Sequence, residues 1–151
     1  MNVNRLESVR PLEAMVIEAT YSGGQKVRVD MTEIAARLKV FAPLTDRTVF
    51  EQVGVADWGH SIAWSDDASI DADRLMEMAL EQSGRVDTLE FRRWQDRNGL
   101  SLAAAAEAIG LSRRTVSQYR TGARPVPRTV ALACIGWESA KAVEPTYVKV
   151  A

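Results

Sequence analysis

The chain has 151 residues, of which 46% are apolar and 26% charged, and its formal net charge at pH 7 is -1. This balance is typical of globular proteins and excludes collagen-like and low-complexity chains. At this length about 68–70% of the unfolded surface is buried on folding, so one domain or two small ones can form without a disulfide.

Residue counts exclude several classes of site. The longest stretches without Asp, Glu, Lys or Arg span nine residues each, 98–106 and 129–137, and a membrane span needs about 18 apolar residues. Because the N-terminus also lacks an export signal, we expect a cytoplasmic protein without membrane contact. The single cysteine, Cys134, and single histidine, His60, exclude an intrachain disulfide and a His/Cys zinc cluster. We predict no metal and no cofactor.

Charge is distributed unevenly along the chain. Residues 1–80 carry 8 basic and 13 acidic side chains, a balance of -5, whereas residues 81–151 carry 11 and 7, a balance of +4. Nine arginines and no lysine lie between Arg85 and Arg128. The planar guanidinium group suits phosphate and guanine recognition, although a solvated charged face would also explain the excess.

Residues 1–82 are predicted to form a small α+β domain with a mostly antiparallel sheet. Alternating apolar residues predict a hairpin over 15–31, in which Glu18 faces Lys26 or Arg28. A second hairpin is predicted around residues 57–60. We interpret the alternating aromatic residues of this second hairpin, Trp58 and Trp64, as core.

Short helices are predicted between and after these hairpins. Asp30 and Glu33 have the spacing of a capping box, in which Asp30 accepts from the Glu33 N–H. Asp71 is expected to cap a later helix, and the acidic stretch before it is interpreted as a polar turn. The first helix is expected to end near Leu38. The second should run from Thr45 or Asp46 to about Gln52, and the third should span 72–82.

Residues 85–140 have a helical period throughout and are predicted to form an all-α domain, followed by a tail over 141–151. Its helices are expected over 86–98, 102–109 and 113–120, with a fourth after Pro125-Val126-Pro127. In the first of them, Phe91 and Trp94 should face inward and Arg92, Arg93 and Arg97 outward. The fourth should bury Val130, Ala131, Cys134 and Trp137.

The connection around Gly110 predicts a helix-turn-helix. Two helices are joined by three residues, Ala106 is small where their axes approach, and Gly110 suits the left-handed turn. Val116 and Tyr119 face inward, so the opposite side of helix 113–120 is free to enter the major groove.

Four residues of helix 113–120 are candidates for base contacts. Arg113 and Arg114 lie on its first turn, and arginine pairs bidentately with guanine. Gln118, one turn later, suits adenine, and Ser117 shares the outward face. Ser112 and Ser101 are predicted to cap their helices.

The second half of the chain resembles the Cro/C1-type family of phage-repressor-like regulators over residues 86–137. The resemblance lies in Asn98-Gly99-Leu100-Ser101, Ala106-x-x-Ile109-Gly110-Leu111-Ser112 and Val116-Ser117-x-Tyr119-x-x-Gly122. It implies base contacts from Arg113, Arg114 and Gln118. It also implies that Ser101, Arg120 and Gly122 lie along the phosphates, where we also expect Arg124. The chain differs from the family at Leu102, where Gln is frequent, and at Arg120, where an acid is frequent.

Residues 5–80 resemble a bacterial domain of unknown function that also occurs alone, sometimes beside a small toxin gene. The resemblance is carried by Val40-Phe41-Ala42-Pro43-Leu44 and by Trp58-Gly59. It implies a role in binding a toxin-like protein partner or a small ligand.

Three functional hypotheses follow. The first is a homodimeric, sequence-specific regulator of transcription that binds double-stranded DNA, as a repressor or an autoregulating antitoxin-like protein. The second is an antitoxin or adaptor that binds protein and has lost DNA binding. Leu102 supports this hypothesis, because it stands where the family often has a Gln that contacts phosphate. The third, an enzyme in the α+β domain, is disfavoured because no paired carboxylates, nucleophile or metal-ligand spacing is visible.

Overall fold

The computed structural model describes residues 5–142, which divide into two compact units, one ending at Ser83 and one beginning at Gly84. The first unit contains two three-stranded antiparallel sheets, and the described part of the second is helical. The predicted α+β class is therefore confirmed, with the strands in the first half of the chain.

The first sheet has the strand order β1-β2-β3, formed by Leu6–Pro11, Val16–Tyr21 and Lys26–Asp30. The predicted hairpin is β2-β3, in which Ile17 lies opposite Val29 and both are buried. Glu18 lies opposite Arg28 and its carboxylate also pairs with Arg10, at 2.9 Å. Arg28 is therefore the cross-strand partner, because Lys26 lies opposite Thr20.

Strand β1 was absent from the sequence prediction. It is an edge strand in which Leu6 alone is buried, and it ends at Pro11. An edge strand with one buried residue has almost no apolar alternation to detect.

The second sheet has the order β4-β5-β6, formed by Gly54–Ala56, Ser61–Ala63 and Ser69–Asp71. Strand β6 corrects the interpretation of the acidic stretch as a turn, since Ile70 pairs opposite Ile62 and is buried. The helices of this unit are α1 (Thr32–Arg37), a 3-10 segment (Lys39–Thr45), α2 (Arg47–Phe50) and α3 (Ala72–Gln82).

Two caps test the local predictions. The Asp71 carboxylate accepts from the Arg74 N–H at 2.8 Å, which confirms the cap of α3. The capping box at Asp30 is wrong: its carboxylate accepts from the Thr32 N–H and hydroxyl, at 2.9 and 2.6 Å, and Met31 occupies the N-cap position. A side chain two residues before a backbone N–H forms an Asx turn, which competes with the box.

Trp58 was predicted to be core, but this residue is 85% exposed. Three consecutive residues, Asp57, Trp58 and Gly59, have positive φ, and this backbone turns the indole outward. A Cβ on Gly59 would lie 2.7 Å from the Leu6 carbonyl oxygen, so the tight approach of β1 requires glycine there. Trp64 is buried, as predicted, and its indole N–H donates to the Phe50 carbonyl.

The described part of the second unit contains α4 (Val86–Arg97), α5 (Leu102–Ile109), α6 (Arg113–Thr121) and α7 (Arg128–Ala142). Its core is formed by Phe91, Trp94, Ala105, Ala106, Val116, Tyr119 and Cys134. Helix α7 extends past the predicted boundary at residue 140, and the rest of the predicted tail, 143–151, lies outside the described residues. Within residues 5–142, no helix combines the length and apolarity needed to cross a bilayer.

Two predicted orientations in this unit are wrong. Arg92 is 3% exposed rather than outward, and Ala131 is exposed rather than buried. Helix α7 is apolar on more than one side, so its sequence does not define a single inward stripe. The position of Arg92 follows from its contact with α6, described below.

Candidate nucleic-acid interface

The first two helices of the predicted motif, α5 and α6, are joined by a left-handed glycine. Gly110 has φ 71° and ends α5, and the Leu111 N–H returns to the Ala106 carbonyl at 2.8 Å. The Gly110 N–H donates to the same carbonyl, and these two bonds with the positive φ are typical of a glycine-terminated helix end. The turn leads directly to Ser112, which begins α6.

Helix α6 is fixed at both ends by local chemistry. The Ser112 hydroxyl accepts from the Thr115 N–H at 3.1 Å, and Gly122, with φ 80°, ends the helix. Ser101 caps α5 in the same way, through the Ala104 N–H at 3.0 Å. Both serines therefore have the capping role that was predicted for them.

The inner side of α6 is buried and its outer side is exposed. Val116 and Tyr119 are 0% and 3% exposed and pack in the core. Arg113 and Arg114 are exposed, and no hydrogen bond or ion pair within residues 5–142 engages either guanidinium group. Their donors are therefore available to an external acceptor.

Ser117 and Gln118 are partly exposed on the same helix. The Gln118 side-chain oxygen lies 3.4 Å from Arg124 Nη1, and the Arg124 backbone N–H donates to the Gln118 carbonyl. The Arg124 guanidinium group also lies over the ring of Tyr119, at 5.7 Å. These contacts hold exposed Arg124 beside the end of α6, next to Gln118.

Arg120 is directed inward, unlike Arg113 and Arg114. Its side chain is 13% exposed and forms an ion pair with Asp96 at 2.9 Å. It also donates to the Gln95 side-chain oxygen at 3.2 Å. Arg120 therefore ties α6 to α4, in place of the phosphate contact implied by the family resemblance.

Two further arginines bind the carbonyl end of α6, and sequence reasoning missed both. Arg92 Nη1 donates to the Arg120 carbonyl at 3.1 Å, and Arg85 Nη1 donates to the Gly122 carbonyl at 3.0 Å. The last carbonyls of a helix lack intrahelical partners and carry partial negative charge, which cations stabilise. No local signal marked Arg92, because Thr88 and Gln95, which share its side of α4, are polar residues that periodicity does not identify as buried.

The segment after α6 is also anchored to α4. The Asp87 carboxylate accepts from the Val126 N–H at 2.8 Å and from Arg85. Desolvation acts to raise the pKa of Asp87, but these hydrogen bonds outweigh it and hold the pKa below its usual value. Arg128, the exposed first residue of α7, follows this segment and was not among the predicted site residues.

Two other reactive side chains, Cys134 and His60, lie in different units of the described chain. Cys134 is buried, and desolvation raises the pKa of its thiol to about 11, so it is protonated at neutral pH. His60 is exposed immediately before β5. Among residues 5–142 there is no group of three or more His, Cys, Asp or Glu side chains able to hold a metal ion.

Comparison with known proteins agrees with this division of the chain. Residues 89–135 match the model of a helix-turn-helix domain. A solved structure from Nitrosomonas europaea ATCC 19718, described as "Putative DNA Binding Protein NE0471", is 38% identical and has a TM-score of 0.66. The match covers 97% of this chain and 94% of that one. None of the curated proteins compared with the chain matches it.

The first unit accounts for the remaining match. Residues 6–81, half of the chain, match a family model described as protein of unknown function (DUF2442). The chain therefore belongs to the DUF2442 family and carries a helix-turn-helix domain after its DUF2442 domain.

Proposed function

We propose that the protein is a sequence-specific, DNA-binding regulator of transcription of the Cro/C1 type. The observation that carries the proposal is the pair of exposed guanidinium groups, Arg113 and Arg114, without internal partners on the first turn of α6. The N. europaea protein, which is described as DNA-binding and is similar over nearly the whole chain, supports it.

Recognition would follow from the two sides of α6. With Val116 and Tyr119 held in the core, the opposite side enters the major groove, where Arg113, Arg114, Ser117 and Gln118 meet base edges. Arg124 and Arg128 would contact phosphates, because both are exposed and follow α6 closely. Phosphate contacts position a protein on DNA, whereas base contacts select the sequence.

We further propose that the protein acts in the cytoplasm as a homodimer on a near-palindromic operator. A repressor or an autoregulating antitoxin would block or compete with polymerase there. Two identical reading helices require half-sites about one helical turn, 34–36 Å, apart or a multiple of it. Catalysis is not part of the proposal, and the protonated, buried Cys134 thiol offers no nucleophile at neutral pH.

Selection of bound sequences from a random duplex pool tests the proposal. A single enriched motif with twofold symmetry is the expected result. Fluorescence anisotropy on that motif should then show at least about a thousandfold preference over random duplex at physiological salt. Equal affinity for both duplexes would contradict sequence-specific function.

A second function is favoured by Trp58. An indole that is 85% exposed on a backbone with positive φ is costly to maintain in a monomer. Aromatic side chains are also enriched at protein interfaces. We propose that the DUF2442 domain binds a protein partner through the turn at Asp57–Gly59, as an antitoxin or adaptor would. Pull-down of the product of the neighbouring gene by wild-type protein but not by Trp58→Ala would support it, and equal capture by both would contradict it.

A further inference from the structure

Helices α4 and α7 border a cavity within the second unit. Its volume is about 350 Å³, and most of the side chains that line it are apolar. Phe91, Trp94 and Cys134 are at most 5% exposed and form its buried wall, whereas Ile135 is exposed at its edge. Pockets for small molecules typically measure about 300–1,000 Å³ and combine an apolar lining with a few polar groups. The cavity therefore has the size and lining of a site for a small organic molecule.

Trp94 gives this wall a polar group that has no partner within the described chain. Trp94 is 2% exposed, and its ring packs against Phe91 and Trp137 at centroid distances of 5.5 and 5.7 Å. Its indole N–H is buried and meets no hydrogen-bond acceptor within residues 5–142. A buried indole N–H normally donates to an acceptor, as that of Trp64 does to the Phe50 carbonyl at 3.0 Å. A ligand that carries an acceptor would complete the hydrogen bonding of Trp94.

The charged side chains of the lining select against an anionic ligand. They comprise three carboxylates and one guanidinium group, from Asp87, Glu90, Glu138 and Arg97. Arg97 is already bound to Glu138, at 2.6 and 2.7 Å, so it leaves a buried anion without a free cation. Burial of a charge without a partner is costly.

The same side chains do not require a cationic ligand. The Asp87 carboxylate accepts from the Val126 N–H at 2.8 Å, and Glu138 is neutralised by Arg97. Glu90 is 62% exposed, so water solvates its carboxylate. An uncharged molecule therefore fits the electrostatics of this cavity best.

We propose that the cavity between α4 and α7 binds a small, uncharged and largely apolar molecule that carries one hydrogen-bond acceptor, such as the oxygen of an aromatic ketone. The apolar body packs against Phe91 and Cys134, and the acceptor receives the Trp94 indole N–H. The site goes beyond the proposed function, whose DNA contacts lie on and after α6. Its test requires no DNA, so either proposal can fail without the other.

The first test uses acetophenone, a neutral aromatic ketone, as the probe. Heteronuclear NMR of the full chain reports each indole N–H separately. We expect acetophenone to move the Trp94 N–H signal to higher frequency in a saturable titration, because a hydrogen bond forms there. The Trp64 signal is the internal control and should not move, since its N–H already donates to Phe50 in the first unit.

Two analogues of the probe separate the contributions of shape, acceptor and charge. Ethylbenzene has a similar shape and no acceptor, and it should bind at least about threefold more weakly than acetophenone. Benzoate keeps the acceptor but is anionic at neutral pH, and it should bind at least about tenfold more weakly. If either analogue binds as tightly as acetophenone, the assigned ligand class is wrong.

The second test fills the cavity from its edge. Ala131 lines the cavity and is exposed, so Ala131→Phe adds a ring there without disturbing the buried wall. Acetophenone should bind this variant at least about fivefold more weakly, because less space remains. Ala133→Phe is the matched control, since Ala133 is also exposed on α7 but does not line the cavity. It should bind acetophenone like wild type, and circular dichroism should show both variants folded.

Three further outcomes would overturn the proposal. In the first, acetophenone leaves the Trp94 signal unchanged up to its solubility limit. In the second, Ala131→Phe and Ala133→Phe bind the probe equally. In the third, the dissociation constant for acetophenone rises with protein concentration, which would show that a second copy of the chain occupies the cavity instead.

Discussion

The outer side of α6 and its junction with α4 use the same side chain in opposite ways. On the outer side, Arg113 and Arg114 are exposed and have no internal partner within the described chain. At the junction, Arg92 and Arg120 are nearly buried and hold the carbonyl end of α6 against α4. The arginines of this domain therefore have two roles. Arg113 and Arg114 present donors on the surface of α6, whereas Arg92 and Arg120 hold α6 in place.

Substitution of Arg92 tests whether the buried arginines stabilise the fold, and it has the largest expected effect on the free energy of unfolding. Arg92→Ala leaves the Arg120 carbonyl without its donor and opens space in a buried position. We expect the second unit to lose about 2–4 kcal/mol of its free energy of unfolding. Urea unfolding followed by circular dichroism measures the loss. Arg93→Ala, at the neighbouring exposed position, should cost less than about 0.5 kcal/mol, and equal losses would contradict the assignment.

Substitution of Arg113 or Arg114 tests whether the exposed arginines of α6 contact bases. Either alanine substitution should cost about 1–3 kcal/mol of binding to the selected operator and relax the preference at one base pair. Folding stability should change by less than about 0.5 kcal/mol, since neither side chain has an internal partner. Anisotropy titrations on operator and random duplex make the measurement. Equal losses on both duplexes would show that these arginines contact phosphates and not bases.

Arg120 and Arg124 sharpen the comparison, because the sequence assigned both to phosphates and the structure places them differently. Arg124→Gln should make the negative slope of log affinity against log salt less steep by about 1 and leave the free energy of unfolding unchanged. Arg120→Gln should keep the salt slope and lower the free energy of unfolding by up to about 1 kcal/mol, through loss of the Asp96 pair. Salt titrations and urea unfolding of both variants separate the two roles.

The smallest effect concerns α4 and α7. Hydrogen bonds from Arg97, and then from Asn98, lower the pKa of Glu138 from about 4.5 to about 2. A carboxylate with a lowered pKa contributes stability above its unfolded pKa and loses it as the pH falls. Glu138→Gln should therefore be less stable than wild type at neutral pH, with the difference shrinking below about pH 4.5 and disappearing near pH 2.

Thermal unfolding of wild type and Glu138→Gln across this pH range makes the measurement. Glu107→Gln, at an exposed position on α5, is the control and should show no such trend. A difference that stays constant with pH would mean that the Arg97 pair does not set the pKa.

The parts of the fold that were predicted correctly depend on residues close together in sequence. The caps at Ser101, Ser112 and Asp71 and the left-handed Gly110 are each satisfied within four residues, so the local pattern contains all the information needed. The same holds for Val116 and Tyr119, whose spacing defines one side of a helix.

The parts that were missed depend on partners distant in sequence. Arg92 is buried because it donates to the Arg120 carbonyl 28 positions later, and the periodicity of α4 alone cannot reveal an acceptor for its guanidinium group. Trp58 is exposed because the backbone at Asp57–Gly59 must pass β1, where Gly59 approaches Leu6. Strand β1 itself is defined by its pairing with β2 and not by its own alternation.

The sequence by itself determined that a helix-turn-helix follows an α+β domain and that two arginines begin its outward helix, because period, caps and turn glycines act over one or two turns of chain. Tertiary structure decided which of the nine arginines remain available for DNA. That division depends on which carbonyls and carboxylates of other helices come within hydrogen-bonding distance, and only packing brings them there.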